Sequence, residues 1–242
     1  MQKFFSSHAA VSALALMTVC GAAHADLKVV QTTSIDSPQL KAYEETMTPQ
    51  QKASMAKSGN PLFQNGPQQT TVYEHGRQIR TDIGSTSYLI NSATRQTITL
   101  NRRIRNYTTQ PYRTPPTTGQ GTVNVKDTGQ TKTFAGHLAR HYLLTATLAA
   151  QPGTLIQGDI WAASDIPQPT MLSTGSGPFA VLQSLFHKIK GYPLKSTLTV
   201  TGSPLGNTTV TTNVVSVSKS PLPDSLFSIP AGYTKSAAEA RG

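Results

Sequence analysis

Thr131–Leu148, TKTFAGHLARHYLLTATL, is the stretch whose reading decides the fold. Its Leu, Ala, Arg and His content suits a helix, since these residues lose little in a helical backbone. Its periodicity does not. Phe134, Leu138, Tyr142, Leu144, Ala146 and Leu148 alternate with Thr133, His137, His141, Thr145 and Thr147, and Arg140 is the one misfit. Alternation of this length places apolar side chains on one side of an extended chain, so the stretch is expected to be a strand. With that choice made, the rest of the chain falls into a β pattern.

Upstream, Gln68–Arg113 is broken into short strands by turn residues. His75-Gly76 separates QTTVYE from RQIRTDI, Asn91–Thr94 separates STSYLI from RQTITL, and Asn101–Arg103 precedes IRNYTT. Short runs of this kind predict a meander of antiparallel hairpins. Pro115 and Pro116 make PYRTPPTTGQG a loop, because proline cannot donate to a ladder. Downstream, TLIQGDIWAA reads as a strand closed by Asp165-Ile166-Pro167, and LKSTLTVTG and NTTVTTNVVSVS as two more. Leu27–Thr32 opens the series.

Two helices are expected. Thr48, Pro49 and Gln51 form a T-x-x-Q capping box with proline at the first helical position, and Gly59 supplies a stop. Phe179, Leu182, Phe186 and Ile189 recur at helical spacing, Val181 and Leu185 broaden the face, and Lys188, Lys190 and Gly191 mark the end. Strands that neighbour each other in sequence, with few crossovers, build an antiparallel sheet with helices gathered on one side. The expected fold is therefore mainly β (α+β): a curved antiparallel sheet or incompletely closed β-barrel, with two or three helices covering one side.

The N-terminus reads as an export signal. Lys3 is followed by the apolar stretch Ala9–Val19, and Ala23-His24-Ala25 places small residues where a signal peptidase reads, with cleavage before Asp26. The stretch is well short of the roughly 20 residues that span a bilayer. Cys20 lacks the small residue before it and the Leu at the third position before it that lipidation needs; Val19 and Met17 stand there. The expectation is a periplasmic or secreted chain, one β-rich domain over 26–235 and a disordered tail over 236–242. The only cysteine leaves with the signal, so no disulfide can brace the mature domain.

The formal net charge is +10, yet only 13% of residues are charged. Between Asp82 and Asp127 there is no carboxylate, while Arg95, Arg102, Arg103, Arg105, Arg113 and Lys126 all fall there. This run is either a solvated hairpin face or a contact for an anionic surface such as lipid head groups. An exported chain seldom meets nucleic acid, and none is expected as a partner. His137 and His141 would suit a zinc ion at helical spacing, but four residues of strand span about 13 Å, so no metal site is expected. Ser176 lacks the first glycine of a G-x-S-x-G elbow and reads as a loop residue. No carboxylates recur at a spacing that suggests acid–base work. No catalytic residue and no cofactor is expected.

The tail PLPDSLFSIPAGYTK (221–235) resembles the closing motif of a group of exported bacterial proteins similar to the LolA/LolB-like lipoprotein carriers. Ser87–Thr109 resembles that group's hairpin with a basic turn, Ala135–Thr145 its glycine-to-tyrosine strand, and Gly158–Pro167 its tryptophan strand. The resemblance implies an incompletely closed barrel with helices over its mouth and, in the carriers, an apolar cavity. It assigns no ligand-binding residue to this sequence. If such a cavity exists, Trp161, Phe179, Leu182, Leu185, Phe186 and Ile189 are the candidates to line it; otherwise they are core. The function expected is a non-enzymatic carrier-like protein holding an acyl chain of a lipid or lipoprotein, or another apolar ligand. The alternative is an envelope interaction or scaffold protein with a packed core, docking on an anionic surface through Arg95, Arg102, Arg103, Arg105 and Arg113.

The processing site is open to direct measurement. Mass analysis of exported material should find a chain beginning at Asp26, whereas one beginning at Cys20 with added lipid mass would refute the reading.

Overall fold

The computed structural model describes residues 26–57, 66–111, 121–147, 153–168, 188–202 and 206–236. Twelve strands form one sheet: β1 (Leu27–Asp36), β2 (Gln68–His75), β3 (Gln78–Ile83), β4 (Thr86–Asn91), β5 (Gln96–Asn101), β6 (Asn106–Pro111), β7 (Val123–Phe134), β8 (His137–Thr147), β9 (Leu155–Ala163), β10 (Tyr192–Thr201), β11 (Thr208–Ser218) and β12 (Thr234–Lys235). Their order across the sheet is β12-β6-β5-β4-β3-β2-β1-β11-β10-β9-β8-β7. Every pairing is antiparallel except the short parallel contact of β12 with β6. The end strands do not pair with each other, so the sheet is curved and open. Two meanders, β2–β6 and β7–β11, meet at β1.

The turns follow from their residues. Gly76 and Gly84 hold positive φ in the two-residue turns β2–β3 and β3–β4, as the twist of tight hairpins requires. The longer turns β4–β5 and β5–β6 share one design. Asn91 Oδ1 accepts from the amides of Ala93 and Thr94, and Asn101 Oδ1 accepts from those of Arg103 and Ile104. Arg95 and Arg105 then take the left-handed backbone, at φ 51° and 50°. The break before β6 thus extends to Arg105, two residues beyond the expected one.

Thr131–Leu148 is not one strand. β7 ends at Phe134, Ala135-Gly136 turns with both residues at positive φ (48° and 83°), and β8 begins at His137. The apolar phase differs as well: Leu138 is 64% exposed while Ala139 is fully buried. The reason is that the sheet is covered on both faces here. Ala139 pairs with Ala163 and His141 with Trp161 on one face; Tyr142 pairs with Ile160 on the other. One apolar cluster contains Tyr142, Leu144, Ala146, Ile156, Ile160, Ala162, Ile189 and Leu198, and a second contains Leu27, Val29, Ala139, Ala163, Ile166, Tyr192, Leu194 and Val214. β7 also carries a bulge: Asp127 pairs with Tyr142 and Thr131 with Arg140, leaving Thr128-Gly129-Gln130 opposite His141 alone.

The helix α2 (Pro49–Lys57) starts as its capping box requires, with Thr48 N donating to Gln51 Oε1 at 2.8 Å and Gln51 N to Thr48 Oγ1 at 3.2 Å. A helix the sequence reading passed over, α1 (Pro38–Thr46), precedes it, capped by Ser37 Oγ accepting from Leu40 N. α1 buries none of its residues, positions 49–54 of α2 are exposed, and Met47 between the two helices is buried. The second expected helix lies outside the described residues up to position 187, and Lys188–Lys190 are turn and irregular backbone. Gly191 does hold a positive φ of 96°, and a β-carbon there would run into the Ala163 carbonyl.

The two ends of the domain are tied together. Asp26 Oδ2 accepts from Leu222 N at 2.5 Å and its Oδ1 lies 2.7 Å from His75 Nδ1. Burial alone would raise the Asp26 pKa, but the Leu222 amide and the His75 ring outweigh it and hold the carboxyl below its ordinary 3.8. A depressed carboxylate pKa stabilises the fold above the unfolded value, and this is lost as pH falls through the folded one. Asp26→Asn should therefore be clearly less stable than the parent at about pH 5, with the gap narrowing at about pH 2 as the pH falls through the lowered folded value and the carboxyl takes up its proton. Urea unfolding at the two pH values checks this; a constant gap would mean that the charge of Asp26 contributes nothing.

Candidate functional site

The register of β3, β4 and β5 stacks their side chains in rows. Gln78, Asn91 and Gln96 are mutual neighbours; Arg80, Leu89 and Ile98 form the next row, and Asp82, Ser87 and Leu100 the one beyond. Residues two apart share a face, so these nine project to one side. Over this side runs the C-terminal tail with a short 3-10 helix, Asp224–Phe227. Arg80 holds it: its Nη1 donates to the Leu226 carbonyl at 2.9 Å, while Nε and Nη2 grip Asp82 at 2.8 and 3.2 Å. The His75 ring stacks on Phe227 with centroids 5.7 Å apart and an interplanar angle of 30°. His75 Nε2 also lies 3.5 Å from the exposed Asp224 carboxylate.

Between the tail and the sheet is a cavity of about 160 Å³. Leu89 and Ile98 lie side by side on its sheet side and Phe227 on its tail side. Ile79 and Ile90 border it from their strands although their side chains belong to the opposite face, and Gln78, Asn91, Thr94 and Gln96 form its polar side. Among the described residues the lining has no carboxylate, histidine, lysine or cysteine. It can exclude water from an apolar group and offer amide contacts to a polar one, but it contains no acid–base pair.

Trp161 and Ile189 are not in this cavity. Ile189 is fully buried in the β8–β10 core. Trp161 stacks on His141 at 4.5 Å between centroids and packs obliquely on Phe134 at 5.4 Å. Both are packed against protein, as core side chains are. Phe179, Leu182, Leu185 and Phe186 lie outside the described residues, as do Arg113 and Ser176. Of the candidate lining residues named from the sequence, only Trp161 and Ile189 are described, and neither borders this cavity. The residues that do include Leu89, Ile98 and Phe227. Leu226-Phe227 stood out in the tail motif, but nothing local to it says that it folds back over β3.

The basic residues separate by partner. Arg102 is engaged: its guanidinium lies 3.7 Å from Asp82 Oδ2 and donates to the Gly84 carbonyl. Arg95, Arg103 and Arg105 are exposed and form no ion pair among the described residues. At the β5–β6 turn Ile104 is 57% exposed between Arg103 and Arg105.

His137 and His141 each take a carboxylate of their own. His137 Nδ1 lies 2.6 Å from Asp165 Oδ2, and His141 Nε2 lies 3.0 Å from Asp159 Oδ1. The hydrogen bond from His137 is the main reason the exposed Asp165 carboxyl sits below its ordinary value. On its other side the His141 ring meets Thr128 Oγ1 at 3.0 Å, and that hydroxyl also reaches the His141 carbonyl at 3.2 Å. This cluster closes the β7 bulge. Arg140, the misfit in the alternation, is exposed and pairs with Asp127 at 2.9 Å.

A search of curated protein sequences gave no significant match. Among solved structures, one similar chain is a LolA superfamily protein from Nitrosomonas europaea, 9% identical, with 84% of this chain and 90% of that one aligned at a TM-score of 0.34. A family model described as a domain of unknown function, DUF4412, matches residues 62–233. That span runs from just before β2 to the tail that covers the cavity, and the chain belongs to the DUF4412 family.

Proposed function

We propose that this is a non-enzymatic, carrier-like binding protein of the cell envelope that holds an acyl chain or another apolar group between β3–β5 and Phe227. The observation that carries the reading is the cavity itself. Its walls are apolar on two opposed sides, and one side, the tail, is held over the cavity by the hydrogen bond from Arg80 to the Leu226 carbonyl and by the His75 stack. A wall of that kind can lift without dismantling the sheet. Apolar pockets with a small number of polar groups at one side are the usual form of small-ligand sites. The lack of a titratable group in the lining supports binding rather than chemistry, and the signal-like N-terminus supports an envelope location.

Leu89→Trp should fill the cavity from the sheet side. Affinity for a fluorescent fatty-acid probe is expected to fall at least about tenfold, equivalent to about 1.4 kcal/mol, while urea unfolding confirms that the variant folds. Wild-type protein that takes up no probe, or a Leu89→Trp variant that binds as tightly as the parent, would overturn the reading.

A second reading, docking on an anionic membrane surface, is favoured by the β5–β6 turn. Exposed Ile104 sits there between two arginines that have no ion-pair partner among the described residues, and Asn101 fixes the turn that presents them. Since Arg102 is tied to Asp82, the test replaces only Arg103 and Arg105 by Gln. Each basic group near such a surface contributes about 1 kcal/mol, so about 2 kcal/mol of binding to anionic vesicles should be lost, and its salt dependence should flatten. Equal vesicle binding by variant and parent would leave the turn as a solvated tip.

A further inference from the structure

We infer that the cavity takes a small anionic amphiphile, a short alkyl carboxylate, whose head group is held by Arg77 and Arg95; this rests on the cavity being a binding site. Two observations converge on it. The first is size. About 160 Å³ is close to the 150 Å³ of an engineered apolar cavity that holds a single benzene. A ring or a short alkyl segment fills such a space, and the bulk of a long acyl chain would have to remain outside.

The second is the chemistry of the rim. Arg77 immediately precedes Gln78, and Arg95 immediately precedes Gln96, both of which line the cavity. The turns that carry them lie side by side, because Ser92 donates to the Arg77 carbonyl through both its amide, at 3.1 Å, and its hydroxyl, at 3.3 Å. Arg95 is fixed in the left-handed region at the end of the Asn91 turn. Both arginines are exposed and neither makes an ion pair among the described residues, whereas Arg80, Arg102 and Arg140 each sit on a carboxylate. The nearby Asp224 carboxylate is directed to His75. Two exposed arginines without an ion pair among the described residues, carried by adjoining turns and each next in sequence to a lining residue, favour a ligand with an anion at one end. Arginine suits a carboxylate in particular, because its fork can donate two parallel hydrogen bonds.

The experiment titrates the mature protein with octanoate and with octanol, read by calorimetry and amide chemical shifts. Octanoate should bind about tenfold more tightly than octanol, a difference of about 1.4 kcal/mol, and the advantage should shrink as salt is added. Arg77→Gln combined with Arg95→Gln should reduce octanoate to the level of octanol and leave octanol unchanged. Because Arg95 occupies left-handed backbone, Arg95→Asn, which tolerates that conformation, is a second variant that keeps the turn. Equal binding of the two ligands to the parent, or an octanoate advantage that survives loss of both arginines, would overturn the head-group assignment while the cavity stands. Octanol and octanoate that both fail to bind, or bind Leu89→Trp as well as the parent, would overturn the cavity reading with it.

Discussion

The pairing of β1 with β11 is the contact on which the sheet depends. All other antiparallel neighbours except β1–β2 are joined by short or moderate connections within one meander or the other. β1 has to find β11 across nearly the whole domain, matching Lys28 with Ser218 at one end and Asp36 with Thr209 at the other. The loop entropy for so distant a contact grows only slowly with length, but it has to be met before any of the long-range pairing repays it, so topologies of this kind fold slowly. The compensation lies in the strand itself. Val29 is fully buried and Leu27 nearly so, and both meanders close onto them through Val72 on one side and Val217 on the other. A register slip between Val30 and Gln31 is accommodated there by an irregularity in the ladder. Without β1 the chain would consist of two separate open sheets, each with an additional bare edge.

An open sheet without a disulfide still needs its ends secured, and the tail does this. It starts beside Asp26, runs over β3 where Arg80 takes the Leu226 carbonyl, and ends by pairing with β6, where Thr234 N donates to the Arg105 carbonyl. Polar contacts hold a tail more reversibly than packing does: each contributes about 1 kcal/mol net, somewhat more where a charge is involved. The same segment therefore serves as a structural tie at both ends and as a cover in the middle. The opposite edge of the sheet is treated differently. β7 has no partner on its outer side among the described residues, and it carries Lys126, Lys132 and the Thr128–Gln130 bulge, features that discourage edge-to-edge pairing.

How much of this was legible in the sequence depends on how local its causes are. The α2 capping box, the Gly76 turn and the strand around Trp161 are fixed by residues within a few positions of one another, and they stand where the sequence placed them. The Ala135-Gly136 turn was not found, because alternation was extended across it. That rule assumes one covered face, and β8 is covered on both at Ala139–Tyr142. α1 was passed over because its helix is weakly apolar; Ser37-Pro38 was its only clear signal. The cavity was beyond reach altogether. Leu89 and Ile98 look like ordinary strand residues, and Phe227 like part of a tail motif. Only the fold-back of the tail makes them neighbours. Trp161 and Ile189 attracted attention by being large and apolar, which is equally the signature of a core.

The basic balance of the chain is also resolved by topology rather than composition. Asn91 with Arg95 and Asn101 with Arg105 repeat the same turn ten residues apart, and because a hairpin reverses the chain, consecutive turns fall at opposite ends of the sheet. The turns of Arg77 and Arg95 are thereby brought together at the end of the sheet where Gln78 and Gln96 line the cavity, while Arg102, Arg103 and Arg105 are gathered at the far end with the β12 contact. Six residues of strand separate the two groups along β5, about 20 Å at the rise of an extended chain. That is two Debye lengths or more at physiological salt, so exposed charges at one end are largely screened from those at the other. A single stretch that reads as one basic run is thus two independent fields. A ligand held at one end and a surface met at the other would not compete for the same arginines, and the two readings of this protein can be separated by mutating one turn at a time.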